Sequence, residues 1–320
     1  MKQLVDTVFT PLEEGTLPFY RVVLRGMSQL CFQSNELTGL AFFFAVLIVS
    51  PISSAYLLLA AILGPLFRKL MGERREVLST GLPGLNPSLI ALSIPAFFNT
   101  GWTNIGMWGV LVVCILFAVL LVKLCISILP VPTIAFPFLI IFWILWALEP
   151  HLSFLEPSKL SIVPYHTFHP VTAVLFGLGQ GLFSPSIWSG LLYLIGLFLS
   201  NWRHAVVALF GAIIGTTVAL YYSHVAPEGV NIGLYGFNSV LAAVAVYVTC
   251  GGKIRLSILG ALLAAIFIPI IASFGVQTLA APFVFTTWII IALGWIENRW
   301  FGVQTAAQTA GTGSESSAND

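Results

Sequence analysis

Two glutamines stand at matched places in a chain that is otherwise poor in polar chemistry. Gln29 lies in Gly26-Met27-Ser28-Gln29-Leu30-Cys31-Phe32, and Gln180 lies in Gly177-Leu178-Gly179-Gln180-Gly181-Leu182-Phe183. A glutamine side chain offers one carbonyl acceptor and two N–H donors, and in an apolar span it costs free energy unless it is paired. A duplicated one is either an interhelical hydrogen bond or a hydrogen-bonding mouth for a neutral polar solute, with an aromatic three residues on in each copy (Phe32, Phe183). Asn86 and Asn238 form a second pair, each opening a short apolar segment after a Gly-rich approach, where they read as N-caps. That approach leaves backbone N–H groups to face a cavity. Phe136, Phe138 and Phe283 cluster with Pro132, Pro137 and Pro282. Breaks at proline free backbone carbonyls, which a membrane tolerates only against protein or a water-filled path.

Other chemistry is thin. There is no nucleophile–base–acid set, no Gly-rich phosphate loop followed by Lys, and no pair of carboxylates on one helix, so no enzyme is expected. His166 and His169 are three apart, but Pro170 follows and no carboxylate or Cys accompanies them, so neither a metal nor a cofactor is expected. Cys31, Cys114, Cys125 and Cys250 are scattered and read as helix-packing residues. Ion-coupled carriers usually place ionisable groups at mid-membrane. Here Glu36 and Lys123 sit near predicted ends, and His204 and His224 flank a span.

The elements that must position these residues follow from composition. The chain is 58% hydrophobic and 8% charged, too apolar for a soluble globule of 320 residues. With a net charge of +1, nucleic acid is an unlikely partner. Apolar segments fall at roughly 19–34, 37–50, 52–71, 85–98, 104–128 and 131–148, then at 168–184, 187–200, 204–223, 237–250, 255–274 and 279–298. The halves echo each other. Gly81-Leu82-Pro83-Gly84-Leu85-Asn86 returns as Gly233-Leu234-Tyr235-Gly236-Phe237-Asn238, Gly39-Leu40 as Gly190-Leu191, and Pro137-Phe138 as Pro282-Phe283. In so apolar a chain a duplication indicates a transporter or channel with two repeats around a central pathway.

The fourth segment of each half is too short to span a core of roughly 30 Å and reads as a re-entrant half-helix. Five spans plus one half-span is an odd number of crossings, which inverts the second half. The expected fold is therefore an all-α polytopic membrane protein with two inverted repeats, each of five transmembrane helices plus one re-entrant half-helix, and a central pore. The expected units are a cytoplasmic N-terminal segment (1–18), a first repeat (19–150), an extramembrane connector (151–167), a second repeat (168–298) and a disordered tail (299–320). The N-terminus lacks the basic-then-apolar pattern of a cleaved signal peptide. With that terminus inside, the inner side would hold Lys2, Arg21, Arg25, Lys123, Lys253, Arg255 and Arg299, against Arg68, Lys69, Arg74, Arg75, Lys159 and Arg203 outside. That is a near balance from which charge gives no orientation.

These paired motifs resemble the urea transporter family of bacteria and animals, over roughly residues 20 to 298. The resemblance carries on the paired Gly-Leu-x-Gly-(Leu/Phe)-Asn, Gly-x-x-Gln and Pro-Phe motifs. It implies a homotrimer in the cell membrane (for a bacterial member, the inner membrane), cytoplasmic termini, one pore per subunit, and uncoupled passage of urea. It implies that Gln29 and Gln180 hydrogen-bond urea at the two ends of the filter, and that Phe32, Leu85, Phe183 and Phe237 sandwich the flat solute. The family motif Leu-Pro-x-x-Thr-x-Pro-Phe departs here, because the mid-pore Thr is Ala135 in one half and Ala280 in the other. The second copy, Val276-Gln277-Thr278-Leu279-Ala280-Ala281-Pro282-Phe283, has also lost its first Pro. The mid-pore is then expected to be wider and less polar.

The physics suits urea, which is planar, neutral and too polar to cross lipid quickly. An apolar slot with acceptors along its edges would replace urea's water, and a filter without fixed charge repels ions by desolvation. A channel for ammonia, water or a short amide is the rival reading, and an ion-coupled secondary transporter a more distant one.

Overall fold

A computed structural model describes residues 17–158, 167–222, 225 and 227–300. His166, His224, most of the N-terminal segment, the middle of the connector and the C-terminal tail lie outside the described residues. Among the described residues the chain is helical, with no strand beyond one isolated bridge between Phe98 and Pro157. The helices are α1 (Phe19–Ser28), α2 (Glu36–Val49), α3 (Pro51–Leu70), α4 (Arg75–Ser79), α5 (Leu85–Phe97), α6 (Ile105–Ile128) and α7 (Phe136–Leu148). After the connector come α8 (Pro170–Gln180), α9 (Ile187–Ser200), α10 (Trp202–Tyr221), α11 (Pro227–Asn231), α12 (Gly236–Thr249), α13 (Ile254–Ala272) and α14 (Ala281–Trp300).

Four of these, α3, α6, α10 and α13, are long and apolar enough to cross a membrane. Their outer faces expose Phe117, Leu124, Phe210 and Leu262. A soluble protein rarely leaves so much apolar surface open, whereas lipid covers it at no cost. The interior joins both halves. Phe42 on α2 stacks on Tyr193 of α9 at 4.9 Å between ring centroids, and Thr38 Oγ1 donates to the Gly196 carbonyl at 2.7 Å.

Local punctuation explains the element ends. Asn35, Ser50, Asn104, Ser186 and Asn201 each accept a backbone N–H within the first turn they precede. Gly81 and Gly233 both sit at φ +79°, where a side chain is strained, and turn the chain into the approach to α5 and α12.

Contacts between helix ends overturn the charge balance expected from sequence. Leu17, Phe19 and Val22 share a groove with Lys69, Arg75 and Ser79, and Arg25 donates to the Ser79 carbonyl at 2.9 Å. The start of α1 therefore lies beside the end of α3. Arg68, Val122, Ile126 and Thr249 line one cavity, which brings the ends of α6 and α12 to the same face. His204 Nδ1 is 2.9 Å from Gln33 Oε1, and its ring packs edge-on against Tyr247, so α10 begins there too. Helix α14 runs back along α13, with Ile290 against Gly260, and ends beside the start of α13. Arg21, Arg25, Arg68, Lys69, Arg74, Arg75, Lys123, Arg203, Lys253, Arg255 and Arg299 thus gather at one face, called here the basic face.

The reason is the first segment. Counting it as a full crossing put Arg68 opposite Arg21, but α1 has 10 residues, about 15 Å of helix. After the turn Gln29–Cys31 the chain returns and meets α2 at a 72° bend. Ser34 reaches the Thr80 carbonyl at 2.9 Å, and Glu36 meets Arg21 at 2.7 Å and Arg25 at 3.0 Å. The first segment starts and finishes near the basic face. The fourth segment does not turn back. Helix α5 runs from the cavity lined by Arg68 to the opposite face, where Asn99 N–H donates to the Glu156 carbonyl at 2.7 Å and Ser158 N–H to the Phe97 carbonyl at 2.8 Å. Glu36, read as a residue near a helix end, is at one and is also buried.

Candidate functional site

The site is built on two breaks, one ahead of α7 and one ahead of α14. Ile134 has φ 47° and Leu279 has φ 42°. Both are left-handed conformations that non-glycine residues avoid, Ile most of all. Such strain persists only where the surroundings impose it. Asn86 does so in the first half. Its Nδ2 donates to the Ile134 carbonyl at 2.9 Å and its Oδ1 accepts the Phe138 N–H at 2.9 Å. Asn238 repeats the clamp, with Nδ2 to the Leu279 carbonyl at 2.9 Å and Oδ1 from the Phe283 N–H at 3.3 Å. The expected N-cap role is therefore wrong. Neither asparagine caps its helix, and the N-cap positions belong to Gly84 and Tyr235. Asn86 and Asn238 are the second and third residues of their helices, and the broken neighbour takes both polar ends of each side chain.

Each break also meets an aromatic from the other half. Phe32 lies edge-on to Phe283 at 6.2 Å, and Phe183 lies edge-on to Phe138 at 6.4 Å. Both Phe32 (φ 58°) and Phe183 (φ 52°) are left-handed, each closing the turn after its glutamine. The indole N–H of Trp143 donates to the Gln277 carbonyl at 2.8 Å, and that of Trp288 donates to the Pro132 carbonyl at 2.8 Å. Carbonyls that a helix break leaves without an intrahelical donor are thus held across the halves.

The two glutamines are not in the same state. Gln29 is buried and spends Nε2 on the Thr80 carbonyl at 2.7 Å and on Ser34 Oγ at 2.9 Å. Gln180 is half-buried, and its Oε1 is a buried acceptor with no protein partner. Buried side-chain acceptors are rarely left so.

A cavity of about 360 Å³ opens beside the first break, lined by Phe32, Leu85, Asn86, Thr133, Ile134 and Arg68, among others. It brings together Phe32, Leu85 and Asn86 of the expected set. Gln29, Gln180, Phe183, Phe237, Asn238, Ala135 and Ala280 are not among its lining residues. Ala135 and Ala280 are both buried, 1% and 4% exposed. Sequence reasoning missed Arg68, read as one of a run of basic residues at a helix end. Its guanidinium is buried and pairs with Glu73 through Nη2. The signal in the sequence was its place three residues before the end of the apolar run 52–71. Among the described residues no three His, Cys, Asp or Glu side chains come together as a metal site.

An all-helical chain with several apolar helices, breaks clamped by buried asparagines and a buried acceptor without a protein partner has the class features of a polytopic membrane protein. A sequence model described as "Urea transporter" matches residues 20–294, and the chain belongs to the urea transporter family. It is 27% identical over 245 residues to urea transporter 1 of Mus musculus and of Rattus norvegicus, covering 72% of this chain and 63% of each relative. It is 26% identical over the same length to urea transporter 1 of Ovis aries. The chain thus spans 63% of the length of the curated relatives it matches.

Proposed function

We propose that this chain conducts urea, or a closely similar small neutral amide, passively across a membrane through a narrow path within each subunit. The path passes between the two breaks and is walled by Phe32, Leu85, Phe183 and Phe237, with Gln29 and Gln180 towards its two ends and Ala135 and Ala280 near its centre. The observation that carries the reading is the matched pair of asparagine-clamped breaks, each facing a phenylalanine of the other half. Membership of the family supplies the solute class. Urea's N–H groups find an acceptor in Gln180 Oε1, and its flat faces suit aromatic walls.

The same reading makes the two halves inverted repeats. In each, one segment returns to the face it left (α1, α8) and five cross (α2, α3, α5, α6, α7; α9, α10, α12, α13, α14). Among the short crossing helices, α5 and α12 sit inside the protein, buried over most of their length. The gathering of Lys and Arg at the basic face supports the cytoplasmic side for that face, by the positive-inside rule, and so for both termini. A homotrimer and a bacterial inner membrane are part of this proposal on the family resemblance.

Two alanines at the positions of the family's mid-pore threonines favour a second reading, a path tuned to ammonia or water. Stopped-flow efflux from liposomes holding the purified protein tests both. Fast downhill urea flux upholds the first reading, and ammonia or water flux without urea flux replaces it with the second.

A further inference from the structure

The basic-face cavity holds one arginine whose hydrogen bonding is incomplete. Arg68 is 6% exposed, yet its Nε and Nη1 atoms have no partner in the protein. Only Nη2 is used, by the carboxylate of Glu73. Leaving charged donors buried and unpaired is among the more expensive things a protein does, so a group that lines a cavity in this state is set up for an acceptor that comes and goes. The acceptor's charge follows from the surroundings. Glu73 already neutralises the guanidinium, and the remaining walls are uncharged, mostly apolar side chains such as Phe32, Leu85, Ile126 and Ile134, with Asn86, Thr133 and Thr249 beside them. An anion entering here would lose its water beside a carboxylate and gain no net countercharge. A neutral carbonyl oxygen suffers neither penalty. The position has no counterpart in the other half, since α3 and α10 are both 20 residues long and the residue matching Arg68 is Ala219.

We propose that Arg68 is a solute-binding residue at the basic-face mouth. One of its two unpartnered groups, Nε–H or Nη1–H, which lie on opposite edges of the guanidinium, donates to the carbonyl oxygen of a small neutral amide, and Glu73 cancels the charge that would otherwise draw anions. This rests on the transport reading above.

The test is concentration-dependent efflux of urea and of thiourea from liposomes holding the full chain, as wild type, as Arg68→Gln, and as the double variant Arg68→Met with Glu73→Met, which leaves no orphan carboxylate. Thiourea has the same shape and N–H groups, but its sulfur is a weak acceptor. Loss of one charge-assisted hydrogen bond should raise the urea half-saturation roughly tenfold. Thiourea should change by less than about twofold, so that the preference for urea collapses in both variants. An unchanged urea-to-thiourea preference in a wild-type-stable variant overturns the inference. So does a proportional loss of both solutes with early melting, which is the mark of a structural role. Absence of urea flux in the wild type overturns the transport reading itself and is seen separately.

Discussion

The indole N–H of Trp143, on the last helix of the first half, donates at 2.8 Å to the carbonyl of Gln277, which precedes the last helix of the second half. Trp288 and Pro132 make the reverse bond at the same distance. The two bonds lock the segments that carry the left-handed Ile134 and Leu279. Trp143→Phe or Trp288→Phe keeps the aromatic bulk but leaves a carbonyl without its donor. Each should lower stability in detergent by about 1 kcal/mol. The double variant should lose about the sum, and melting curves of the purified protein report it. A double variant as stable as wild type would show that water replaces both indoles without loss.

Asn86 should prove more demanding than its size suggests. Asn86→Ala removes a donor to Ile134 and an acceptor from Phe138 at once, a loss of about 2 kcal/mol or more in a buried setting. Asn86→Asp keeps the acceptor and loses the donor, so it should be equally harmful or worse, because a buried carboxylate would face the Ile134 carbonyl. Equal expression and melting for wild type and Asn86→Asp would mean that the clamp does not hold the break.

The unequal glutamines give unequal variants. Gln180→Ala removes an acceptor that the protein itself does not use, so urea flux should fall about tenfold with melting unchanged. Gln29→Ala unties the turn at Thr80 as well, so its loss of flux should come with a lower melting temperature. Flux assays paired with melting curves separate the two.

Glycines at the α1–α2 and α8–α9 crossings are fixed by contact. A Cβ at Gly39 would lie 1.9 Å from the Leu24 carbonyl oxygen, and one at Gly190 would lie 2.1 Å from that of Leu175. Gly39→Ala and Gly190→Ala should therefore fail to fold or yield aggregated protein, whereas Gly109→Ala, with nothing within 4 Å, should behave as wild type on size-exclusion chromatography.

Orientation is open to labelling. In a chain carrying Cys250→Ser, Arg75→Cys should react with a membrane-impermeant maleimide only from the cytoplasmic side, and Trp102→Cys only from the other. The opposite pattern would reverse the orientation of the basic face.

Much of this was legible in the sequence because duplication leaves marks that hydropathy alone does not. Gly81 and Gly233, Asn86 and Asn238, and Phe32 and Phe183 occupy matched places with matched geometry. The returning segment was misplaced because segment length was judged by apolar run. The run 19–34 is long enough to pass, yet it is broken at Phe32 by a left-handed residue that no glycine announces. The same silence covers Ile134 and Leu279, whose breaks are imposed by partners far along the chain. Arg68 was hidden for a related reason. A basic residue at the end of an apolar run reads as a solvated end, and only packing reveals that it is buried beside a cavity.

The reciprocal indole bonds have an evolutionary consequence. Each half clamps its break with its own asparagine, but the indole bond comes from the other half, since Trp143 donates to the second half and Trp288 to the first. On the inverted-repeat reading, a single ancestral copy would have needed a second copy, inserted the other way up, to complete these bonds. Such a dual-topology dimer gains from fusion twice. The partner becomes permanently available, and the copies, no longer one gene product, are free to differ. Arg21, Arg25 and Glu36 in one half stand opposite Thr172, Phe176 and Ile187 in the other, a divergence that a dimer of identical chains could never have acquired.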